Sequence, residues 1–347
     1  MHRKRNWKWH VPFLAFLIIA SVIIVRQNMN APFQNDRGFV FGTVYDIKYQ
    51  CHENLKKGVE AELKKVDNAL SPFNKASVIT AVNNGDTVVP RTQEGDMFME
   101  VFRRSVSISE ATDGAFDITV APLVNLWGFG FSKDSEPTRQ KVDSLLPYVG
   151  YRNVKEWETG SRRGIHKASR EVLLDCSSIA KGYGCDVVAR YLKGKGVENY
   201  MVEIGGEIIV AGHNSRGEKW NVGIVEPEDD SLAVKSQVQQ VLRLTGKAMA
   251  TSGNYRNFYV RNGRKFAHTI DPATGYPVQH TLLSTTVLAN DCATADAYAT
   301  AFMVMGMDKA IQLLEKHGEL AAYFIYAKPD GTMGVWYSSG IRNLIGQ

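Results

Sequence analysis

The sequence predicts an α+β fold, and two observations carry the prediction. Segments of helical and of strand periodicity are mixed along the chain without the regular βαβ alternation that a doubly wound parallel sheet requires. Asn262-Gly263, set between the apolar runs 258–260 and 266–270, is the strongest short-range signal for an antiparallel hairpin with a primed turn. In chain order, residues 43–49 read as a strand, 54–70 and 95–110 as helices and 139–147 as a further helix. Strands follow at 220–225 and 283–288, then a helix at 307–317 and a strand at 320–326. A hydrophobic content of 44% is ample for a large core. No repeat is present, and the only linker-like stretch is 27–38, so residues 38–347 read as one unit.

Chemistry concentrates between Thr251 and Thr300. The predicted hairpin carries His268 and Asp271 near its end, and Pro272 to Gly275 force a second turn just past the acid. Residues 294–305 are Ala-rich without Gly or Pro and read as a helix, on which Asp296 and Thr300 lie four apart and share a face. A carboxylate and a hydroxyl so placed are hard oxygen ligands suited to Mg²⁺, which takes one or two protein oxygens and completes its shell with phosphate and water. Spacing also fits a plainer reading, in which an Asp near a helix start serves the macrodipole and a Thr back-bonds to a carbonyl.

Two other stretches bear on the choice. In 173–200 a short apolar strand ends at Asp175, and Ser177-Ser178 lead into a helix with Lys181 in its first turns. Such a start points free N–H groups and positive dipole at an anion such as phosphate, and Lys181 adds a charge. The next strand, 201–210, holds Gly205-Gly206 in mid-run, which reads as a bulge or a close approach, with Glu203 and Glu207 on either side. In 109–131, Thr112-Asp113-Gly114 make a turn, Ala115-Phe116-Asp117 follow, and Pro122 interrupts. An aromatic-rich loop with one acid can grip a planar ring, and equally can be a tight turn with core aromatics.

These residues together resemble the ApbE family, the FAD:protein FMN transferases once labelled thiamine-biosynthesis lipoproteins. The likeness runs through FGTVYDI at 41–47, LSPFNKASVITAVNNG at 70–85, TDGAFDITVAPLVNLWGFG at 112–130 and LLDCSSIAKGYGCD at 173–186. It continues in ENYMVEIGGEIIVAG at 198–212, WNVGIVEP at 220–227, MATSGNYRNFY at 249–259, AHTIDPATGYPV at 267–278 and NDCATADAYATAFMVMG at 290–306. Nine segments in the family's order cover most of the chain. The resemblance implies an ApbE-type α+β domain that binds FAD, uses Mg²⁺ to split its pyrophosphate, transfers FMN to a Thr hydroxyl of a target protein and releases AMP.

By position, the resemblance implies metal ligands at Asp296, Thr300 and the backbone carbonyl of Ala180. It implies FAD contacts at Phe41, Phe73, Ala115, Phe116, Asp117, Ser177, Tyr183 and Ile270, with Asp271 nearby. His268 matches the histidine expected to activate the acceptor hydroxyl, a poor nucleophile that needs a base titrating near the working pH. Phe41 and Phe73 depart from the family, which often has Met and Tyr there; Phe73 thereby lacks a hydroxyl that could bond the cofactor. The implied acceptors are membrane-associated electron-transport subunits of the Na⁺-pumping quinone reductase or Rnf type. Water in place of the acceptor would make the same site an FAD pyrophosphatase, and loss of chemistry would leave an FAD-binding protein.

The N-terminus and the charge bound the setting. Arg3, Lys4, Arg5 and Lys8 lie in a basic segment, 1–10, before the uncharged run 11–25 and a polar stretch, 26–37. This is the layout of a signal peptide or signal anchor at the cytoplasmic membrane, with the body on the extracytoplasmic, periplasmic side. Cys51 is the first cysteine, so no lipidation site follows the apolar run. The net charge of +5 arises entirely from residues 1–37, and a neutral body lacks the footprint of a nucleic-acid binder. The four cysteines form no CxxC or zinc-like pair with His and read as buried thiols.

Overall fold

The computed structural model describes residues 7–29, 31–130, 137–227, 238–254, 258–261 and 264–346. Its frame is an eight-stranded sheet of Phe33–Val40, Thr43–Gln50, Tyr200–Ile204, Glu207–Ala211, Lys247–Gly253, Leu282–Ala289, Ala321–Ala327 and Met333–Tyr337, side by side in that order. All neighbours are antiparallel, so spatial order equals chain order, and each join is a hairpin or an excursion that returns beside its starting strand. Helices enter through those excursions. The longest ends in the Ala180–Gly194 helix, here the lysine helix, and another holds the Cys292–Met305 helix, the aspartate helix. This mixed architecture meets the α+β expectation.

Alternation along the strands decides which face each helix covers. Tyr45, Ile47, Tyr49, Val202 and Ile204 turn to one face and pack with Val188 and Leu192 of the lysine helix. Ile208 and Val210 turn to the other and meet Trp220, Val222 and Leu242 of the two-stranded Trp220–Val225 and Val238–Leu244 sheet. Each fully buried aliphatic side chain contributes about 1.5–3 kcal/mol, and a third, larger cluster that includes Phe98, Phe116, Phe302 and Phe324 adds the most.

Several local expectations are corrected. The stretch 27–38 is no linker, since it holds the end of the Trp7–Met29 helix and the first sheet strand, whose Asp36 is buried and accepts from the Tyr49 hydroxyl at 2.7 Å. The run 201–210 is two strands, because Gly205 and Gly206, at φ of +64° and +100°, form the two-residue turn between Ile204 and Glu207 rather than a bulge. Residues 173–175 are not a strand, and the lysine helix starts at Ala180 after Ile179, with no side-chain cap from Ser177 or Ser178. Pro122 sits in the first turn of the Ala121–Leu126 helix, where its missing N–H costs nothing, so it starts a helix instead of breaking one. Asn262-Gly263 lies outside the described residues, though the flanking pairing of Arg261 with Arg264 is that of a two-residue hairpin.

The Trp7–Met29 helix contains Pro12 and exposes Phe13, Leu14, Phe16, Ile18 and Ile19. Among the described residues no helix is long and apolar enough to cross a membrane.

Candidate active site

The lysine and aspartate helices cross at a contact that only glycine permits. A Cβ on Gly182 would lie 2.3 Å from the Cys292 carbonyl oxygen and 2.8 Å from Asp296 Cβ. That closeness lets the Gly182 N–H donate to Asp296 Oδ2 at 3.0 Å. Asp296, 2% exposed, is thus fixed from the facing helix start, where the dipole is positive and the Ala180 N–H is already taken by the Cys176 carbonyl at 2.8 Å. Asp291 caps its own helix by accepting from the Thr294 N–H at 2.9 Å and is paired with Arg104. Asp186 of the lysine helix accepts from the N–H groups of Cys292 and Ala293 at 2.7 and 2.9 Å. Burial pushes the Asp186 carboxyl up to about 6, although those two N–H groups pull it down.

Lys181 lies between two buried carboxylates. Its Nζ is 3.3 Å from Glu207 Oε1 and 3.8 Å from Asp296 Oδ2. Burial works against the Lys181 charge, but Asp296 and then Glu207 outweigh it, and its pKa is raised. Burial pushes the Glu207 carboxyl up against the opposing pull of Lys181. One turn along the aspartate helix, Thr300 Oγ1 lies 3.2 Å from Ser252 Oγ of the Lys247–Gly253 strand.

A second cluster borders this pair. Asp175 donates its N–H to the Ile118 carbonyl at 2.7 Å, tying the approach to the lysine helix to the 112–130 loop. The Trp127 indole donates to the Gly275 carbonyl at 2.8 Å and meets Tyr276 edge-on, so that loop is tied in turn to the turn after Asp271. Phe129 meets His268 edge-on with ring centroids 6.3 Å apart, and Ile270 packs with Leu123, Leu126 and Trp127. Three stretches far apart in sequence are therefore tied together by buried contacts.

The individual residues separate by what their side chains do. Phe41 occupies the left-handed region at φ +51° in the two-residue turn with Gly42, and packs between the two main core clusters. Gly184 makes room for it, since a Cβ there would lie 2.8 Å from the Phe41 ring. Positive φ at both Phe41 and Gly42 is what the two-residue hairpin turn between Val40 and Thr43 requires. Asp117 is buried and accepts from the Thr119 N–H and hydroxyl and the Tyr151 N–H, at 2.8, 2.6 and 2.6 Å. Burial raises its pKa against the pull of those bonds. Its carboxylate therefore shapes the loop that presents Ala115, while Phe116 beside it is buried in the core. Tyr183 is fully buried with its hydroxyl donating to Glu100 at 2.6 Å. Asp271 is a turn-former, accepting from the Ala273 N–H and the Thr274 hydroxyl at 2.9 and 3.0 Å. Ser177 is exposed, its N–H and hydroxyl both donating to Asp175. Phe73, 69% exposed, precedes the Val78–Asn83 helix, which is clasped to Leu174 through Asn83.

Residues 41–324 match the model of the ApbE family. The chain belongs to that family. It is 38% identical over 303 residues to a FAD:protein FMN transferase of Haemophilus influenzae, covering 85% of this chain and 86% of the relative. It is 35% identical over 335 residues to one of Vibrio cholerae, covering 94% and 95%. Among solved structures, the flavin transferase ApbE from Vibrio cholerae superposes with a TM-score of 0.78 at 33% identity, over 90% of this chain and 99% of that one. The apo flavinyl transferase ApbE of Pseudomonas stutzeri gives 0.78 at 32% identity, over 91% and 98%.

In this ApbE-family chain the oxygen donors suit a hard cation. Asp296 supplies a buried carboxylate and Thr300 a hydroxyl a turn later, and among the described residues no group of three or more His, Cys, Asp or Glu is gathered as a softer-metal cage would require. Sequence reasoning assigned no role to Glu207. The available signal was an acid directly after a two-glycine turn, which the structure makes the first residue of a buried strand.

Proposed function

We propose that the protein is a Mg²⁺-dependent FAD:protein FMN transferase that links FMN through a phosphoester to a Thr of an acceptor protein and releases AMP. The observation that carries this reading is Asp296, buried at a helix crossing and held by a backbone N–H and an ammonium, within a chain of the ApbE family. Asp296, Thr300 and the Ala180 carbonyl would hold the metal, which supplies charge neutralisation at the pyrophosphate. His268 takes the proton of the acceptor hydroxyl, and the oxygen so activated forms a bond to the FMN phosphorus. The bond from that phosphorus to the bridging oxygen breaks, the oxygen leaves with AMP, and the proton passes to solvent. Phe41 and the 115–117 loop wall the flavin end, and orientation by these fixed groups supplies much of the rate.

We assign segment 1–25 to export or to attachment at the cytoplasmic membrane, on the strength of its basic start and uncharged run. An acceptor then exposes its Thr on the extracytoplasmic side, as membrane-associated electron-transport subunits can. The test incubates the purified protein with FAD, Mg²⁺ and an acceptor domain and weighs the products. An FMN-sized mass increase on a Thr peptide with one AMP per label is expected; AMP release without labelling would make water the acceptor and the protein a pyrophosphatase.

A further inference from the structure

Glu207 is 4% exposed, and its second carboxylate oxygen, Oε2, is buried with no hydrogen-bond partner among the described residues. A buried carboxylate with an orphan oxygen is costly, so its retention calls for a function. Its other oxygen faces Lys181 at 3.3 Å, nearer than Asp296 at 3.8 Å. The lysine stem runs past the Gly205 turn, where an added Cβ would lie 3.4 Å from Lys181 Cδ. The Lys181 side chain keeps 28% of its exposure while the two carboxylates keep 5% and 4%, so it is the least buried member of the trio, although its ammonium is itself desolvated.

A lysine beside a metal-binding aspartate has an ambiguous effect. It neutralises the carboxylate and so competes with the metal for it, unless something else holds the ammonium. We propose that Glu207 is that holder, a positioning residue that gives Lys181 its own carboxylate, leaving Asp296 to the divalent cation and the ammonium to the pyrophosphate of the nucleotide. This rests on the transferase reading above. Without Glu207 the only carboxylate paired with Lys181 among the described residues is Asp296, and cation binding weakens. Without Lys181 both carboxylates remain and nothing competes, so cation binding persists while the positive charge facing the phosphates is lost.

The two substitutions therefore act in opposite senses on one equilibrium; the bare Coulomb effects of the removed charges would add in the double substitution, whereas a Glu207 that acts through Lys181 has no effect once Lys181 is gone. Mg²⁺ binding to the full chain, followed by calorimetry without nucleotide, is expected to weaken on the order of tenfold in Glu207→Gln, within the usual range of coupling between neighbouring sites. Lys181→Met is expected to bind Mg²⁺ at least as tightly as the wild type, and Lys181→Met combined with Glu207→Gln to recover the affinity lost in Glu207→Gln. Transfer by Lys181→Met should fall on the order of 10²-fold, the scale of one preorganised charge at a reacting phosphate, with partial rescue by Lys181→Arg. Unchanged Mg²⁺ affinity in Glu207→Gln, or weaker binding in Lys181→Met, overturns the proposal. If Glu207→Gln does not fold, Glu207→Asp takes its place, keeping the charge but drawing it back from Lys181; weaker Mg²⁺ binding is expected, and unchanged binding overturns the proposal. A wild-type protein that takes up no Mg²⁺ would instead remove the metal assignment on which the trio depends.

Discussion

The helix crossing and the loop pair beside it solve different problems with different materials. At the crossing, the lysine and aspartate helices approach through Gly182 and are joined by buried polar bonds: Gly182 to Asp296, and Cys292 and Ala293 to Asp186. In the loop pair, the 112–130 and 268–276 segments meet through ring contacts and the Trp127 to Gly275 bond, with Asp117 and Asp271 spent on holding turns. The Lys181, Glu207 and Asp296 trio sits between regular elements that cannot relax, whereas the buried Asp117 is held by the N–H groups of its own loop and of Tyr151. His268 and the 115–117 residues lie beside turns set by short-range sequence, where one residue can be aimed without disturbing the sheet.

The sharpest test of this division is Asp296→Ala. It should remove Mg²⁺-dependent AMP release and Mg²⁺ binding together while the protein stays folded, because the lost group is a ligand held by a single backbone bond and one ammonium. Full AMP release in that variant would end the metal assignment. His268→Ala probes the other region. It should slow transfer by about 10²–10⁴-fold, the usual contribution of a general base, with FAD affinity nearly intact. An equal loss of FAD binding would make His268 part of the nucleotide site.

Two glycine substitutions compare the regions directly. Gly182→Ala places a Cβ 2.3 Å from a backbone oxygen, and Gly275→Ala, at φ +76°, places one 2.6 Å from the Val142 side chain. Each should cost about 1–3 kcal/mol in urea unfolding through overpacking. Only Gly182→Ala should also weaken Mg²⁺ binding, since it displaces Asp296; a matching loss in Gly275→Ala would mean the two regions move as one.

Legibility in the sequence follows the same division. Turn chemistry is local, so the Asp113-Gly114 turn, the 271–275 turn and the hairpin pairing around 258–267 could be read from adjacent residues. The Asp296 and Thr300 spacing was readable because helical periodicity is local as well. What could not be read was pairing across the fold. The Lys181 to Glu207 pair joins a helix to a strand, and the Asp186 bonds join residues 106 and 107 positions apart. Gly205-Gly206 reads as a bulge or a close approach; the structure makes it a hairpin turn with a close approach, a Cβ on Gly205 falling 2.8 Å from Thr43, and the turn shows only once the flanking strands pair with each other. The resemblance to a family supplied the site residues that no local pattern marks, such as the Ala180 carbonyl.

A pH-dependent effect of similar size concerns Asp186, and it asks whether burial or the helix start dominates at the crossing. Burial holds its carboxyl at about 6, against an ordinary 3.8. Between about pH 4 and 6 the unfolded chain has lost this proton while the folded chain keeps it, so folding takes up a proton and stability falls as pH rises through that window, then levels. A shift of about two pKa units corresponds to about 3 kcal/mol. Asp186→Asn has no such titration, and its amide can accept from only one of the two N–H groups, a fixed penalty at every pH. The stability advantage of the wild type over Asp186→Asn in urea should therefore shrink by up to about 3 kcal/mol from pH 4 to 6 and stay constant above. A difference that is flat across this range would show that the Cys292 and Ala293 N–H groups and the dipole of the aspartate helix outweigh burial. The crossing would then stabilise negative charge at its edge as well as at Asp296.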